Sequence, residues 1–255
     1  TGVLVIMLGH CTRFIELLPE HRKSYTARVK LGLTTDTLDI TGEGLSESKV
    51  EVALPHLLSV AEKFKGDILQ TPPMYSALKK DGVRLYDLAR QGIEVERTPR
   101  QVSIFSIDVL SENEEAGEYE ISVECSSGTY IRTLISDLGE ALGCGAVMTE
   151  LRRTKANGFE IEKAVTLEQL EAAAENGTLD EIVIPVADAL ENYPMIKVTE
   201  AQAKRFRNGG ELDLQRLKYQ RMLGYFRIFD PSGNFIGLGE IGDGDSLAVK
   251  RVYMG

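Results

Sequence analysis

Residues 118–145 read EYEISVECSSGTYIRTLISDLGEALGCG, and this stretch restricts the fold more tightly than the rest of the chain. Tyr119, Ile121, Val123 and Cys125 alternate with Glu118, Glu120, Ser122 and Glu124, the period of a strand with one face buried. Ser126, Ser127 and Gly128 supply turn chemistry, and Ile131, Leu134, Ile135, Leu138 and Leu142 then recur at helical spacing until Gly143. Strand, tight turn and amphipathic helix put Thr129, Tyr130 and Arg132 at the end of a sheet, where side chains can project into a cleft. An arginine there offers five donors and a charge that does not titrate, suited to a carboxylate or a phosphate. A solvated Arg beside a Tyr packed on the sheet accounts for the same residues equally simply.

The segments before it add a second strand, Lys23 to Leu31, with Tyr25, Ala27, Val29 and Leu31 on one face. Tyr25 leads that face, and core packing and presentation to a cleft are both open to it. Gly32 to Gly44 is a Thr, Asp and Gly-rich loop whose spacing fits neither a P-loop nor an EF-hand, so Asp36 and Asp39 read as turn and capping residues. Val50 to Phe64 predicts a helix with Pro55 near its start. In 66–92, GDILQTPPMYSALKKDGVRLYDLARQG, Pro72-Pro73 forbids a helix, and Met74, Tyr75 and Leu78 place apolar bulk beside Lys79 and Lys80. Stackable and basic side chains so interleaved suit unstacked RNA bases, although a structural insertion fits as well. Thr98 to Leu110 predicts a strand, joined to the central one by an acidic loop, 111–117. Val3 to Leu8 reads as a buried segment, and because chains rarely begin inside a core, the sequence is expected to be part of a longer polypeptide.

Thr166 with Gln169 is the signature of a capping box, opening a helix that ends before Gly177. The junction Tyr193-Pro194 divides the chain into two expected domains, 1–192 and 193–255. The second predicts a helix from Thr199 to Asn208 and strands at 222–230, 234–241 and 247–253, a small barrel.

A net charge of −10 argues against indiscriminate nucleic-acid binding, but basic residues gather locally at Lys79, Lys80 and Arg84, at Arg152, Arg153 and Lys155, and at Lys204, Arg205 and Arg207. An acidic protein with basic islands can hold a folded RNA on one face. Cys11, Cys125 and Cys144 form no CxxC pair, and His10, His21 and His56 are scattered, so no disulfide framework and no metal are expected. No apolar run reaches transmembrane length, which predicts a cytoplasmic protein.

Taken together, Thr1-Gly2-Val3-Leu4, Lys23-Ser24-Tyr25, GLTTDTLD, PPMYSALKKDGVRLYDLARQG, SSGTYIRTLISDLGEALGCGA and Leu151-Arg152-Arg153 resemble the TruB-type bacterial tRNA pseudouridine-55 synthases. The module after Tyr193 looks like the PUA barrel that follows such catalytic domains. The resemblance implies an α+β pseudouridine synthase fold: a mixed, mainly antiparallel central sheet flanked by helices, plus a small C-terminal PUA-like β-barrel. It implies a cofactor-free isomerase that flips one uridine out of the tRNA T-loop, with Tyr25 stacked on the base and helping to move a proton. Tyr130 lines the pocket, Arg132 holds the catalytic carboxylate ionised, and Leu151 supplies an apolar wall. Tyr75 and Lys79 belong to the RNA-gripping insertion, 66–92, and Arg152 and Arg153 are further RNA contacts. The T-arm of tRNA is the expected partner of a monomer needing no obligatory protein partner.

One departure matters. The family's nucleophile is an Asp in a GHxGTLDPxATG motif whose final Thr-Gly aligns with Thr1-Gly2, so that Asp would lie a few residues upstream of Thr1. The sequence as it stands is therefore expected to be inactive, with Arg132 lacking its carboxylate. A non-catalytic module that binds or folds the tRNA T-arm, and a synthase acting on another RNA, are the alternatives.

Overall fold

A computed structural model of the 255-residue chain describes residues 1–219 and 222–254; residues 220, 221 and 255, which fall in the expected second domain, lie outside the described residues. The chain divides into two compact units, one of Thr1–Leu4 and His21–Ala164, the other of Val5–Glu20 and Val165–Gly255.

The first unit contains β1 (Lys23–Leu31), β2 (Leu33–Thr35), β3 (Gly44–Glu47), α1 (Leu54–Glu62), β4 (Gly66–Gln70), β5 (Lys79–Lys80), β6 (Val83–Arg84) and α2 (Leu85–Arg90). It continues with β7 (Arg100–Asn113), β8 (Glu118–Cys125), α3 (Ile131–Ala141), β9 (Ala146–Ala156) and β10 (Phe159–Glu160). Six of these strands form one sheet in the order β10-β9-β1-β8-β7-β4, with every adjacent pair antiparallel. Parallel bridges at Gly2–Arg153 and Asp39–Met148 add the mixed element. β2 with β3 and β5 with β6 make two small separate ladders.

The alternation read from 118–125 is present: Tyr119, Ile121, Val123 and Cys125 are buried in the core together with Ala27, Val29 and Leu31 of β1. Ile131, Leu134, Ile135 and Leu138 of α3 cover that face, each burial contributing about 1.5–3 kcal/mol. Charged residues hold the opposite face, as in Arg28–Glu150 at 3.1 Å and Lys30–Glu118 at 3.3 Å. Exposed pairs of this kind contribute little. α3 and β9 approach closely enough that Gly139 is required, since a Cβ there would lie 2.2 Å from the Ala146 nitrogen.

Several expectations need correction. Of the apolar run at 3–8, Val3 is buried, but Leu4, Ile6 and Leu8 are 72, 68 and 60% exposed. α1 starts at Leu54 rather than Val50, because Pro55 fits the first turn and the side chain of Glu114 accepts the Leu54 N–H at 2.8 Å. The segment Val83 to Arg90, whose Leu85, Leu88 and Ala89 predict a short helix, is helical only from Leu85 (α2), since Val83 and Arg84 pair with Lys79 and Lys80. β7 runs on to Asn113, so the acidic connection is shorter than the 111–117 loop. β4 and β9 went unread: GDILQ is short and barely alternates, and the register of β9 against β1 shifts at Ser24/Tyr25 and at Arg28/Val29.

The second unit holds α4 (Leu167–Asn176), α5 (Val186–Ala189), β11 (Met195–Lys197), α6 (Glu200–Arg207), β12 (Leu212–Asp213), β13 (Gly224–Phe229), β14 (Phe235–Ile241) and β15 (Ser246–Val252). Its strands order as β11-β13-β14-β15-β12, a curled half-barrel in which only the β11–β13 pair is parallel. The capping box is formed by Thr166 and Gln169, and a second one by Thr199 and Gln202. At the 231–233 turn, Asp230 accepts hydrogen bonds from the Asn234 backbone at 2.9 Å and from Arg207 at 2.8 Å. Those bonds, the Asn234 N–H foremost, hold its carboxyl below the usual range. Phe14, on a 3₁₀ turn spanning Gly9–Leu17, is fully buried against the rings of Phe235 and Tyr253.

Candidate active site

The site is assembled where β1 starts, β8 ends and α3 begins. Register places Tyr25 opposite Val123 on one side and Arg153 on the other, while Ala27 faces Leu151. Residues directly opposed in an antiparallel ladder point to the same face, so Tyr25, Leu151 and Arg153 share the face that α3 covers. Tyr25 and Leu151 both pack on the edge of the core. Burial pushes the Tyr25 phenol up from its ordinary pKa, and a hydrogen bond with Arg153 partly opposes the shift. At neutral pH it is a protonated phenol, able to donate and to accept.

Thr1 to Val3 lie along β9 beside these residues. The Thr1 nitrogen is 3.0 Å from the Leu151 oxygen, Val3 N–H donates to the Arg153 oxygen at 2.8 Å, and Arg153 Nε donates to the Val3 oxygen at 2.6 Å. Gly2 has φ +109°, and a Cβ on it would meet the Arg153 oxygen at 2.2 Å. Only glycine permits that approach.

Cys125 pairs with Lys23, two residues from Tyr25, and the chain then turns. Ser126 and Ser103 exchange hydrogen bonds, the Ser126 N–H donating to Ser103 O and the Ser103 N–H donating to Ser126 Oγ, both at 2.9 Å. Thr129 Oγ1 donates to Ser126 O at 3.0 Å, which tightens the corner. Tyr130 is the N-cap of α3 in extended conformation. Its N–H donates to Gln70 Oε1 at 2.8 Å, and Gln70 Nε2 donates to its carbonyl at 3.1 Å. Arg132 follows in the first turn, half-buried, its guanidinium making no hydrogen bond or ion pair with another described residue. A cation at a helix N-terminus is opposed by the helix dipole, so an acidic group beside it would be favoured twice over.

The remaining expected residues separate from this group. Arg152 pairs with Thr26 and stands exposed on the opposite face of the sheet from Tyr25. Lys79 is exposed on the β5–β6 ladder. The Tyr75 hydroxyl donates to Asp36 Oδ2 at 3.2 Å, tying the 66–92 insertion to the 32–44 loop. Asp36 and Asp39 have the turn roles expected of them, Asp36 accepting the Glu43 N–H and Asp39 the Thr41 N–H. Among the described residues, no His, Cys, Asp and Glu side chains gather as a metal site, and no helix is long and apolar enough to cross a membrane. Gln70 was missed by sequence reasoning; its only signal is a polar residue two positions ahead of Pro72-Pro73.

Residues 1–131 match the model of the TruB family pseudouridylate synthase N-terminal domain, and a relative 44% identical to this chain covers all of it. The chain belongs to the TruB family. Residues 132–191 match the tRNA pseudouridylate synthase B C-terminal domain, and 194–253 the pseudouridine synthase II TruB C-terminal model. The 44% relative is the tRNA pseudouridine synthase B of Ectopseudomonas mendocina (strain ymp), aligned over 100% of this chain and 83% of its own. That of Pseudomonas fluorescens (strain Pf0-1) is 43% identical over 99% of this chain and 82% of its own. Among solved structures, an H/ACA RNP bound to a substrate RNA containing 2′-deoxyuridine superposes with TM-score 0.67 at 22% identity, over 96% of this chain and 70% of that one. A Cbf5-Nop10-Gar1 complex gives 0.67 at 24%, with the same coverage. These neighbours share the fold of this TruB chain, an α+β pseudouridine synthase fold with a PUA-like C-terminal sheet.

Proposed function

We propose that the protein isomerises a uridine of tRNA to pseudouridine, and that the target is position 55 in the T-loop. The C1′–N1 bond breaks, the base turns, a C1′–C5 bond forms, C5 loses its hydrogen and N1 gains one; the atoms balance without a cofactor. The observation that carries the reading is the register that sets Tyr25 and Leu151 on one face beside the turn leading to Tyr130 and to Arg132, whose guanidinium has no partner among the described residues. A base drawn out of its stack costs a few kcal/mol, and ring stacking on Tyr25 with Tyr130 and Leu151 as walls would offset much of it. Tyr25, protonated at neutral pH, can hand a proton to or take one from the migrating base.

Arg132 is assigned to the nucleophilic carboxylate. That acid is proposed to be an Asp preceding Thr1 in the gene product, which the course of Thr1 to Val3 beside Leu151 and Arg153 supports. Tyr75, Lys79, Arg152 and Arg153 are proposed to contact the RNA beyond the pocket, with the 66–92 insertion gripping the T-arm of tRNA. The protein is proposed to act as a cytoplasmic monomer, divided functionally into a catalytic domain at 1–192 and a PUA-like domain at 193–255.

The test is release of tritium from tRNA carrying [5-³H]uridine, with pseudouridine mapped by carbodiimide-dependent primer extension, using the full-length protein. Modification in the T-loop is the expected result. Binding to tRNA with no tritium release would favour a non-catalytic T-arm module, and modification at other positions alone would refute the T-loop assignment.

A further inference from the structure

Gln70 is a polar side chain only 2% exposed, at the last position of β4 and immediately before Thr71-Pro72-Pro73. A carboxamide is kept in such a place when its donor and acceptor are both used. Here both go to one residue. Oε1 accepts the Tyr130 N–H at 2.8 Å and Nε2 donates to the Tyr130 carbonyl at 3.1 Å, so the side chain lies against that peptide much as a neighbouring strand would. Tyr130 has no side-chain cap bond of its own, and among the described residues the one other claim on its backbone groups is the Leu134 N–H, donated to the same carbonyl at 3.0 Å. Gln70 therefore fixes the residue from which the Tyr130 phenol departs and from which the first turn of α3, with Arg132, begins.

We propose that Gln70 is a positioning residue of the modification site, its carboxamide locking the Tyr130 peptide and thereby the directions of the Tyr130 ring and the Arg132 guanidinium. The assignment rests on the reading of this site as the pseudouridine-forming one. An apolar residue of the same size would fill the volume more cheaply. The paired donor and acceptor are what it could not reproduce. The lock also sits at the root of the insertion, where Arg97 Nη1 donates to the Pro72 carbonyl at 3.3 Å.

The experiment compares wild type, Gln70→Leu and Gln70→Glu in the full-length protein by single-turnover tritium release and by tRNA filter binding, with Gln101→Leu on the adjoining strand as control. Gln70→Leu is expected to slow the reaction roughly 10- to 100-fold, because small misplacements of reacting groups carry costs of that order. Its tRNA affinity should stay within about threefold, as the base pocket is one part of the RNA contact. Gln70→Glu supplies the readout that a merely structural role would not move. An ionised Glu can accept the Tyr130 N–H but confronts the Tyr130 carbonyl with no proton, whereas a protonated Glu restores one donor and one acceptor. Its rate relative to wild type should climb as pH falls from about 8 to about 5, while the ratio for Gln70→Leu stays flat. Rate and affinity falling together in Gln70→Leu, a Gln70→Leu rate near wild type, or a flat Gln70→Glu ratio would each overturn the assignment. If wild type itself releases no tritium, the functional reading fails rather than the lock. Hydrogen exchange at the Tyr130 amide then decides: protection in wild type lost in Gln70→Leu supports the lock, and equal exchange overturns it.

Discussion

We predict that Gly139→Ala, inside α3, destabilises the first unit, although the same change in most helices is stabilising by about 0.5–1 kcal/mol because alanine restricts the unfolded chain. The sign reverses because of what the new methyl would meet. It would lie 2.2 Å from the Ala146 nitrogen, 2.4 Å from the Gly145 carbonyl carbon and 2.5 Å from the Ala146 Cβ. None of these is the end of a flexible side chain. Ordinary carbon contacts need about 3.5–4.0 Å, so α3 must retreat from β9 by about 1 Å or more. The retreat is resisted, since the Gly139 carbonyl accepts the Cys144 and Gly145 N–H groups at 3.2 and 2.9 Å. Overpacking costs about 1–3 kcal/mol, and contacts this short belong in the upper half of that range, about 2–3 kcal/mol, leaving a net loss of about 1–2 kcal/mol once about 1 kcal/mol of helix propensity is credited. At about 2–4 °C per kcal/mol for a unit of this size, the melting temperature should drop by about 2–8 °C in calorimetry. Glu140→Ala, on the exposed side of the next position, should stay within about 0.5 kcal/mol of wild type. A Gly139→Ala protein melting at or above wild type would refute the reasoning. It would mean that the contact between α3 and β9 is slack, and with it the fixed relation of Tyr130 and Arg132 to Leu151.

Three further outcomes are expected. Tyr25→Ala should slow pseudouridine formation by about 10²-fold or more while tRNA affinity changes little, measured by tritium release and filter binding; comparable losses would count against a role at the reacting base. Asp230→Asn tests linkage: a carboxyl held below its ordinary pKa stabilises the folded state above the unfolded value near 3.8, and that stabilisation fades as pH falls through the lowered folded pKa. The stability gap between wild type and Asp230→Asn should thus be full at neutral pH and close in acid, and a gap independent of pH would contradict it. Thr166→Ala, which removes the acceptor for the Gln169 N–H at 3.2 Å, should cost α4 about 0.5–2 kcal/mol, visible as faster amide exchange in its first turn.

What the sequence disclosed follows from how local each signal is. The 118–145 unit was legible because strand period, turn residues and helix period all change within a few positions, and α4 because Thr166 and Gln169 announce their own bond. β9 was not, since two register shifts against β1 break the alternation that would mark it. The shift at Ser24/Tyr25 also decides that Arg153 shares a face with Tyr25 and Arg152 does not, which no pattern in LRRTK reveals. Val3 to Leu8 misled because apolar residues are free to stay on a surface. Gln70 was invisible for the plainest reason: its partner lies sixty positions away, at Tyr130.

The packing of Phe14 against Phe235 and Tyr253 has a consequence for how the chain is made. The ribosome releases Phe14 about 240 residues before Tyr253, an interval of roughly 12–50 s at ordinary elongation rates. The first unit can finish during that wait, whereas the second cannot close until its opening segment meets rings still to be translated. The second unit therefore closes last, however soon its Phe14-bearing segment leaves the ribosome.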